Sequence, residues 1–179
     1  QWQWDLEEIK RLNITDNVVK LVSDKILKLS VEFQNVLKLA SCIGTKFDFH
    51  TLRIISESTV EELSGILITG IREGLIYPVN SQMALINQFA IESEYTEFKF
   101  AHDKVHQAAY NLLSTEKRAE IHHTIGTLLL KNLPEVQIED RIFEILNHLN
   151  PKLVQDAKSK LQLIHLFLLA CRKSKQSGG

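Results

Sequence analysis

The residues of this chain that are best suited to chemistry lie in one stretch, FKFAHDKVHQAAYNLL, residues 98–113. The first three residues alternate apolar and charged side chains as a strand does, and apolar residues at helical spacing follow His102 and Asp103. The pair therefore lies at a strand-to-helix junction, where a helix offers unpaired N–H groups and attracts anions. Three interpretations remain open: a helix cap formed by Asp103, a metal site, or an anion sensor whose imidazole donates a hydrogen bond to phosphate.

The metal interpretation rests on His102 and His106, which are four residues apart and would share one helical face. Hydrolytic zinc sites use that spacing in the form His-Glu-x-x-His with a third ligand elsewhere, whereas Asp-Lys-Val intervenes here. A His-Asp pair also occurs in HD-type phosphohydrolases, which need a further histidine and a distant aspartate. His50 and Asp140 have no sequence context that supports those roles. The spacing therefore argues against a metal site.

Other catalytic signatures are absent from the sequence. It contains neither a Gly-x-Ser-x-Gly elbow nor a Gly-x-x-x-x-Gly-Lys-Ser/Thr phosphate loop. Cys42 and Cys171 lie in apolar helical patterns and are predicted to be buried, reduced thiols. His122 and His123 are adjacent, so on a helix they point in different directions. We therefore expect no catalysis, no metal and no resident cofactor in this chain.

The composition favours a helical protein whose small net charge produces no strong electrostatic field. The 179 residues carry a formal net charge of -1, which gives no general attraction to nucleic acid or acidic lipid. With only 7 Gly and 3 Pro, the chain has few residues for tight turns between strands. The apolar run LFLLAC is too short to cross a bilayer, and no signal-peptide pattern opens the chain. We expect a cytoplasmic segment cut from a longer protein, with no membrane partner.

Five helices are predicted before residue 75, each with start or stop signals. Their expected caps and ends are Asp5 for the first, Thr15 or Asp16 for the second, Ser30 and Gly44 for the third, Asp48 for the fourth, and a Thr59–Glu62 capping box with Gly74 for the fifth. Strands at residues 75–79 and 98–102 follow, joined by a long polar loop. Three helices followed by a β-hairpin form the winged-helix arrangement. Here these are the third, fourth and fifth helices, with the hairpin as the wing and the fifth helix in the recognition position.

DNA binding is not expected of this winged helix. The fifth helix carries Glu61, Glu62 and Glu73 against one basic residue, Arg72. Phosphate neutralisation supplies most of the affinity for a duplex, so this helix would be repelled by DNA.

The pattern is helical from Asp103 onward, with a break at Pro134 and a helical pair at residues 138–150 and 156–175 separated by Asn150-Pro151. Helix pairs of this length suggest the start of a TPR-like array. The predicted fold is mainly α, with a helical lead-in at residues 1–29, a winged-helix domain at residues 30–114 and a TPR-like helical segment at residues 115–179.

Three segments carry a resemblance to a known class of proteins: residues 17–57, residues 98–130 and IFEILNHLNP, residues 142–151. In this order they resemble the region after the ATPase core in large bacterial signalling proteins. Those proteins combine a serine/threonine kinase domain, a STAND-type (AAA+-related) ATPase module, helical repeats and often a GAF domain and a sensor histidine kinase tail. The similarity covers nearly the whole chain.

The resemblance implies a role for the His-Asp pair. STAND proteins, including plant NB-LRR resistance proteins, carry a Met-His-Asp motif at the strand-to-helix junction of a winged-helix domain, and its histidine contacts the β-phosphate of ADP. AHD at 101–103 is similar to that motif, with Ala101 in place of methionine. By resemblance, His102 is the nucleotide-state sensor and Asp103 its support, and ATP or ADP with magnesium belongs to the parent module.

The implied partners are the ATPase core and kinase domains of the same polypeptide, and other proteins through the helical repeats. The alternative function is a freestanding winged-helix module for protein interaction or transcription regulation.

Overall fold

A computed structural model describes residues 14–79 and 96–177 of the chain. In this part the chain is mainly helical with one small antiparallel sheet, as the sequence predicts. The elements in chain order are α1 (Ile14–Leu27), α2 (Val31–Ile43), β1 (Lys46–Asp48), α3 (Phe49–Ser56), α4 (Val60–Arg72), β2 (Ile76–Pro78), β3 (Glu97–Phe100), α5 (Asp103–Asn111), α6 (Thr115–Asn132), α7 (Glu135–Asp140), α8 (Ile142–His148), a 3-10 turn (Pro151–Leu153) and α9 (Ala157–Ser177).

Most of the predicted helix boundaries are confirmed by their hydrogen bonds. The side chains of Ser30 and Asp48 accept backbone N–H groups three residues ahead, at 3.2 and 2.7 Å. Thr59 and Glu62 form the reciprocal capping box at the start of α4. Gly74 follows the end of α4 with φ of 66°, a left-handed conformation that suits a residue without Cβ. These local signals set the helix ends.

Two helix predictions differ from the structure. Helix α1 begins at Ile14, so the predicted cap positions Thr15 and Asp16 lie inside it. The helix predicted over residues 138–150 is divided into α7 and α8 at Arg141, whose backbone has φ of −102° and ψ of 18°. The first predicted helix and its cap Asp5 lie outside the described residues.

The sheet has the strand order β1-β3-β2, with both pairings antiparallel. The two predicted strands are confirmed in shortened form as β2 and β3, whereas β1 was not predicted. Phe47 of β1 pairs with Phe98, and their rings stack at 5.8 Å. A three-residue strand has no periodicity that separates it from the start of α3, so only its partner strand defines it.

The buried apolar side chains form one cluster that contains residues of α2, α3, the sheet, α6, α8 and α9. The cluster therefore includes residues on both sides of residue 114. The domain boundaries at 29/30 and 114/115 stay predictions.

Helix α9 packs only one face against this cluster. Leu163, Leu166 and Ala170 are buried, whereas Cys171 is exposed. The predicted burial is thus confirmed for Cys42 and wrong for Cys171, because Cys171 lies on the side of α9 that faces solvent. Of the helices that the structure describes, none combines the length and apolarity needed to cross a bilayer.

Candidate functional site

His102 is the N-cap of α5. Its backbone is extended, with φ of −156° and ψ of 152°, and its Nδ1 accepts a hydrogen bond from the backbone N–H of Lys104 at 3.1 Å. Asp103 is the first residue of the helix and, like His102, is exposed. A helix cap is thus present at this junction, but the capping side chain is that of His102 and not that of Asp103, which is already inside the helix.

This cap also fixes the tautomer of the His102 ring. A nitrogen that accepts a backbone N–H has no proton of its own, so the neutral ring carries its proton on Nε2. Because the side chain is exposed, that Nε2–H is a donor on the protein surface at the positive end of a helix dipole. The cap and a phosphate contact therefore use different nitrogens of one ring and are compatible.

The sheet holds the backbone on the N-terminal side of His102. The N–H of Ala101 donates to the carbonyl of Leu75 at 2.9 Å, and the N–H of Phe100 donates to the carbonyl of Thr45 at 3.1 Å. Phe100 is also buried in the core. The backbone that leads into His102 is therefore held by the residues directly before β1 and β2 as well as by α5.

His106 does not join His102 in a metal site. Its Nε2 donates to the carbonyl of Ser41 in α2 at 2.9 Å, and its ring packs against those of Phe100 and Tyr110. Within residues 14–79 and 96–177, no group of three or more His, Cys, Asp or Glu side chains could hold a metal ion. The histidine spacing at 102 and 106 therefore serves a cap and an interhelical contact.

A charged cavity of about 620 Å³ lies between the β1 edge of the sheet and the α7–α8 turn. His50 and Asp140, the weak candidates of the phosphohydrolase interpretation, both line it, whereas His102 does not. The remaining residues that line it are Ile43, Lys46, Phe47, Asp48, Glu97, Gln137, Arg141 and Glu144.

Arg141 is the best-connected side chain of this cavity. Its guanidinium donates to both carboxylate oxygens of Glu144, at 2.8 and 2.6 Å, and to the buried hydroxyl of Thr51 at 2.8 Å. The hydrogen bonds to Glu144 raise the pKa of Arg141 more than burial lowers it. This cluster was not predicted, because Thr51 and Arg141 are 90 residues apart in the sequence.

A second unpredicted group links α5, α6 and α8. The Tyr110 hydroxyl lies 3.3 Å from Nε2 of His122, and Nδ1 of His122 lies 2.9 Å from Nδ1 of His148. Burial, and then the nearby charge of His122, lower the pKa of His148 to about 4, and burial lowers the pKa of His122. Both rings are therefore neutral near pH 7. His123 lines a different cavity, between α6 and α9, so the two adjacent histidines do point in different directions.

Comparison with known proteins relates the chain to a signalling kinase. The chain is 28% identical to hybrid signal transduction histidine kinase G of Dictyostelium discoideum over an alignment 218 positions long, gaps included. The alignment includes 96% of this chain and 6% of that protein, so the chain spans a small part of its relative's length. No family model and no solved structure matches. The similarity relates the chain to a segment of a signalling kinase and fits a role in signalling.

Proposed function

We propose that this chain is a non-catalytic, cytoplasmic regulatory segment of a multidomain signalling kinase. In this proposal His102 senses the nucleotide state of an adjoining STAND-type (AAA+-related) ATPase module and couples it to the helices that follow. The observation that supports it best is the exposed His102 ring, whose Nδ1 accepts the cap hydrogen bond, so that its Nε2 is left as a donor at the start of α5.

The element order supports the winged-helix part of the proposal. Helices α2, α3 and α4 precede the paired strands β2 and β3, and α4 takes the recognition position. Helices α8 and α9, joined through the 3-10 turn, are proposed as a TPR-like hairpin.

The described residues fit one phosphate contact and not a whole nucleotide. His102 supplies one N–H donor, and the sequence has no glycine-rich phosphate loop. When bound, ADP would supply the negative phosphate that the ring and the α5 dipole attract. Asp103 is negatively charged, so its proposed role is to stabilise α5 through its attraction to the positive N-terminal end of the helix dipole, and not to bind phosphate. The ATPase core would therefore hold most of the nucleotide.

One such contact is enough to bias a two-state equilibrium. A hydrogen bond to a charged group contributes about 1.5–3 kcal/mol. A free-energy difference of this size shifts a two-state population by roughly tenfold or more. Loss of the phosphate contact would release the winged helix from the ATPase core and change the output of the kinase.

The alternative function is a freestanding winged-helix module that binds proteins or regulates transcription. Against DNA binding, α4 exposes Glu61 and Glu62 beside the single exposed Arg72. Glu73 forms a 3.1 Å ion pair with Lys25 of α1. An acidic helix surface disfavours approach to a duplex, so this alternative implies protein partners.

The test uses two substitutions in the multidomain protein that contains this segment. His102→Ala removes both the cap and the Nε2 donor, whereas His102→Asn keeps a capping oxygen and has only a shorter amide N–H in place of the imidazole donor. We expect both variants to purify with about tenfold less bound ADP, measured by chromatography of the released nucleotide. If His102→Asn retains ADP as the wild type does, His102 is only a cap and the sensor proposal is wrong.

A further inference from the structure

Helix α9 has an exposed apolar stripe on the side opposite its buried face. The stripe consists of Ala157, Leu161, Ile164, Leu168 and Cys171, and we name it the α9 seam. The exposed fractions of its three large aliphatic side chains, at 161, 164 and 168, are 67%, 56% and 53%. Large aliphatic side chains exposed in one continuous row are typical of a contact surface.

The spacing in the α9 seam indicates the shape of its partner. Successive members are four, three, four and three residues apart, which is the a/d repeat of a coiled coil. A repeat of 3.5 residues keeps one narrow row against a second helix, whose side chains fit between those of the first. The seam is therefore shaped to pack against one α-helix along most of its length.

The borders of the α9 seam are positively charged. Of the border positions, His165, Phe167 and Ser174 carry no lysine or arginine, and Phe167 is 45% exposed. Lys158, Lys160 and Arg172 occupy the other border positions, and Lys175 lies at the C-terminal end of the seam. All four are exposed, and the sequence of α9 contains no aspartate or glutamate. Lys173, by contrast, is directed to α7, where it donates to the carbonyl of Glu139 at 2.7 Å. A partner helix would thus meet basic side chains on both borders.

These charges discriminate between possible partners. A second copy of α9 would bring lysine and arginine against each other, which is repulsive at the border positions of a coiled coil. A lipid surface usually receives a broad apolar helix face, whereas the α9 seam is a single row with Lys158, His165 and Arg172 along one border and Lys160 on the other, where exposed Phe167 is its apolar neighbour. A helix with acidic border positions satisfies both the spacing and the charge.

We propose that the α9 seam binds an amphipathic α-helix of a partner protein that carries an apolar heptad row with acidic side chains on both borders. This interaction is separate from the His102 contact, since it uses the far end of the chain. It does not depend on the nucleotide-sensing proposal.

The experiment uses the 179-residue chain and two synthetic helical peptides of the length of α9. Both peptides carry leucine at the a and d positions, with glutamate at the border positions in one and lysine in the other. We expect the glutamate peptide to bind at least about tenfold more tightly by fluorescence anisotropy. The difference should shrink in about 0.5 M salt, because salt screens exposed charges.

Matched variants locate the binding surface. Leu161→Ser with Leu168→Ser should weaken binding of the glutamate peptide by about tenfold or more. Leu21→Ser with Val31→Ser changes aliphatic side chains of similar exposure, 69% and 64%, outside the seam and should change binding less than about twofold. Circular dichroism checks that both variants fold.

Alkylation of Cys171 gives a readout that needs no substitution. Cys171 is exposed within the seam, so the bound glutamate peptide should slow its reaction with iodoacetamide about fivefold or more. Cys42 is the internal reference, since burial raises the pKa of its thiol to about 11 and keeps it unreactive.

Four outcomes would overturn the proposal. They are equal affinity for the two peptides, no binding at about 100 μM peptide, a dimer of the chain in sedimentation that the seam variant abolishes, and binding to phosphatidylserine vesicles that the seam variant abolishes. The third would identify a second copy as the occupant, and the fourth a lipid surface.

Discussion

Nδ1 of His122 lies 2.9 Å from Nδ1 of His148, across the contact between α6 and α8. At this distance one nitrogen carries the proton and donates it, and the other accepts. If both rings were protonated, two N–H groups would point at each other. The pair is therefore stable with two neutral rings, and the pH dependence of the chain should report this.

The first prediction is a loss of stability between pH 6.5 and pH 4. The folded pKa of His148 is lowered to about 4 from its ordinary 6.5, so in this range the unfolded state binds more protons than the folded state. The free energy of unfolding should thus fall by up to about 2–4 kcal/mol as the pH drops through this window, and the histidine contribution should level off below it. The charge of Glu144 opposes this lowering of the pKa, whereas those of His122 and Arg141 add to it.

Urea denaturation at several pH values measures this effect. Because carboxylates also titrate at low pH, the comparison is with His148→Gln, which keeps a hydrogen-bonding group beside His122 and removes the titration. The variant should lose less stability than the wild type over the same range. If the free energies of unfolding of the two proteins fall in parallel as the pH drops, the His122–His148 pair does not cause the loss of stability.

The second prediction concerns the ion pair at the α7–α8 turn. Arg141→Met should lower the free energy of unfolding by about 1–3 kcal/mol, because Thr51 and Glu144 each lose a hydrogen-bond partner in a partly buried site. The matched control is Lys117→Met. Lys117 pairs with Glu120 at 3.0 Å, but the two side chains are 61% and 59% exposed. Its loss should cost less than about 0.5 kcal/mol. If urea denaturation shows that Arg141→Met and Lys117→Met lower the free energy of unfolding equally, burial does not make the Arg141 contacts more stabilising.

The third prediction separates the cap from the proposed sensor in the isolated chain. His102→Ala should lower the free energy of unfolding by about 0.5–2 kcal/mol, since the N–H of Lys104 loses its acceptor. His102→Asn should recover most of that loss, because asparagine is a favoured N-cap residue. Thermal and urea denaturation measure both variants. A destabilised His102→Asn variant would mean that the imidazole contributes more than its cap hydrogen bond.

The fourth prediction compares two helical glycines. A Cβ at Gly126 would lie 2.8 Å from Cδ2 and 2.9 Å from Cγ of Leu149, so Gly126→Ala should force α6 and α8 apart at a cost of about 1–3 kcal/mol. A Cβ at Gly65 meets nothing within 4 Å. Gly65→Ala should therefore stabilise α4 by about 0.5–1 kcal/mol through its helix propensity. If Gly126→Ala leaves the free energy of unfolding in urea unchanged, the packing of Leu149 against Gly126 can adjust to the added Cβ without cost.

The sequence located the helix ends well because capping is a local interaction. Ser30, Asp48 and Thr59 each bond to a backbone N–H three residues ahead, so the signal lies within a few letters of the sequence. The division of the helix at Arg141 was not predicted. There the hydrogen-bond partner is Thr51 of α3, which the sequence does not identify.

By itself, then, the sequence determined a mainly helical chain, the caps of α2, α3 and α4, and a His-Asp pair at a strand-to-helix junction. The tertiary structure decided which side chains meet. It paired His122 with His148, 26 residues away, placed β1 beside β3, and left the seam side of α9 in solvent. The physical reason is range: hydrogen bonds within one helical turn follow from neighbouring residues, whereas contacts across the core depend on how the whole chain packs.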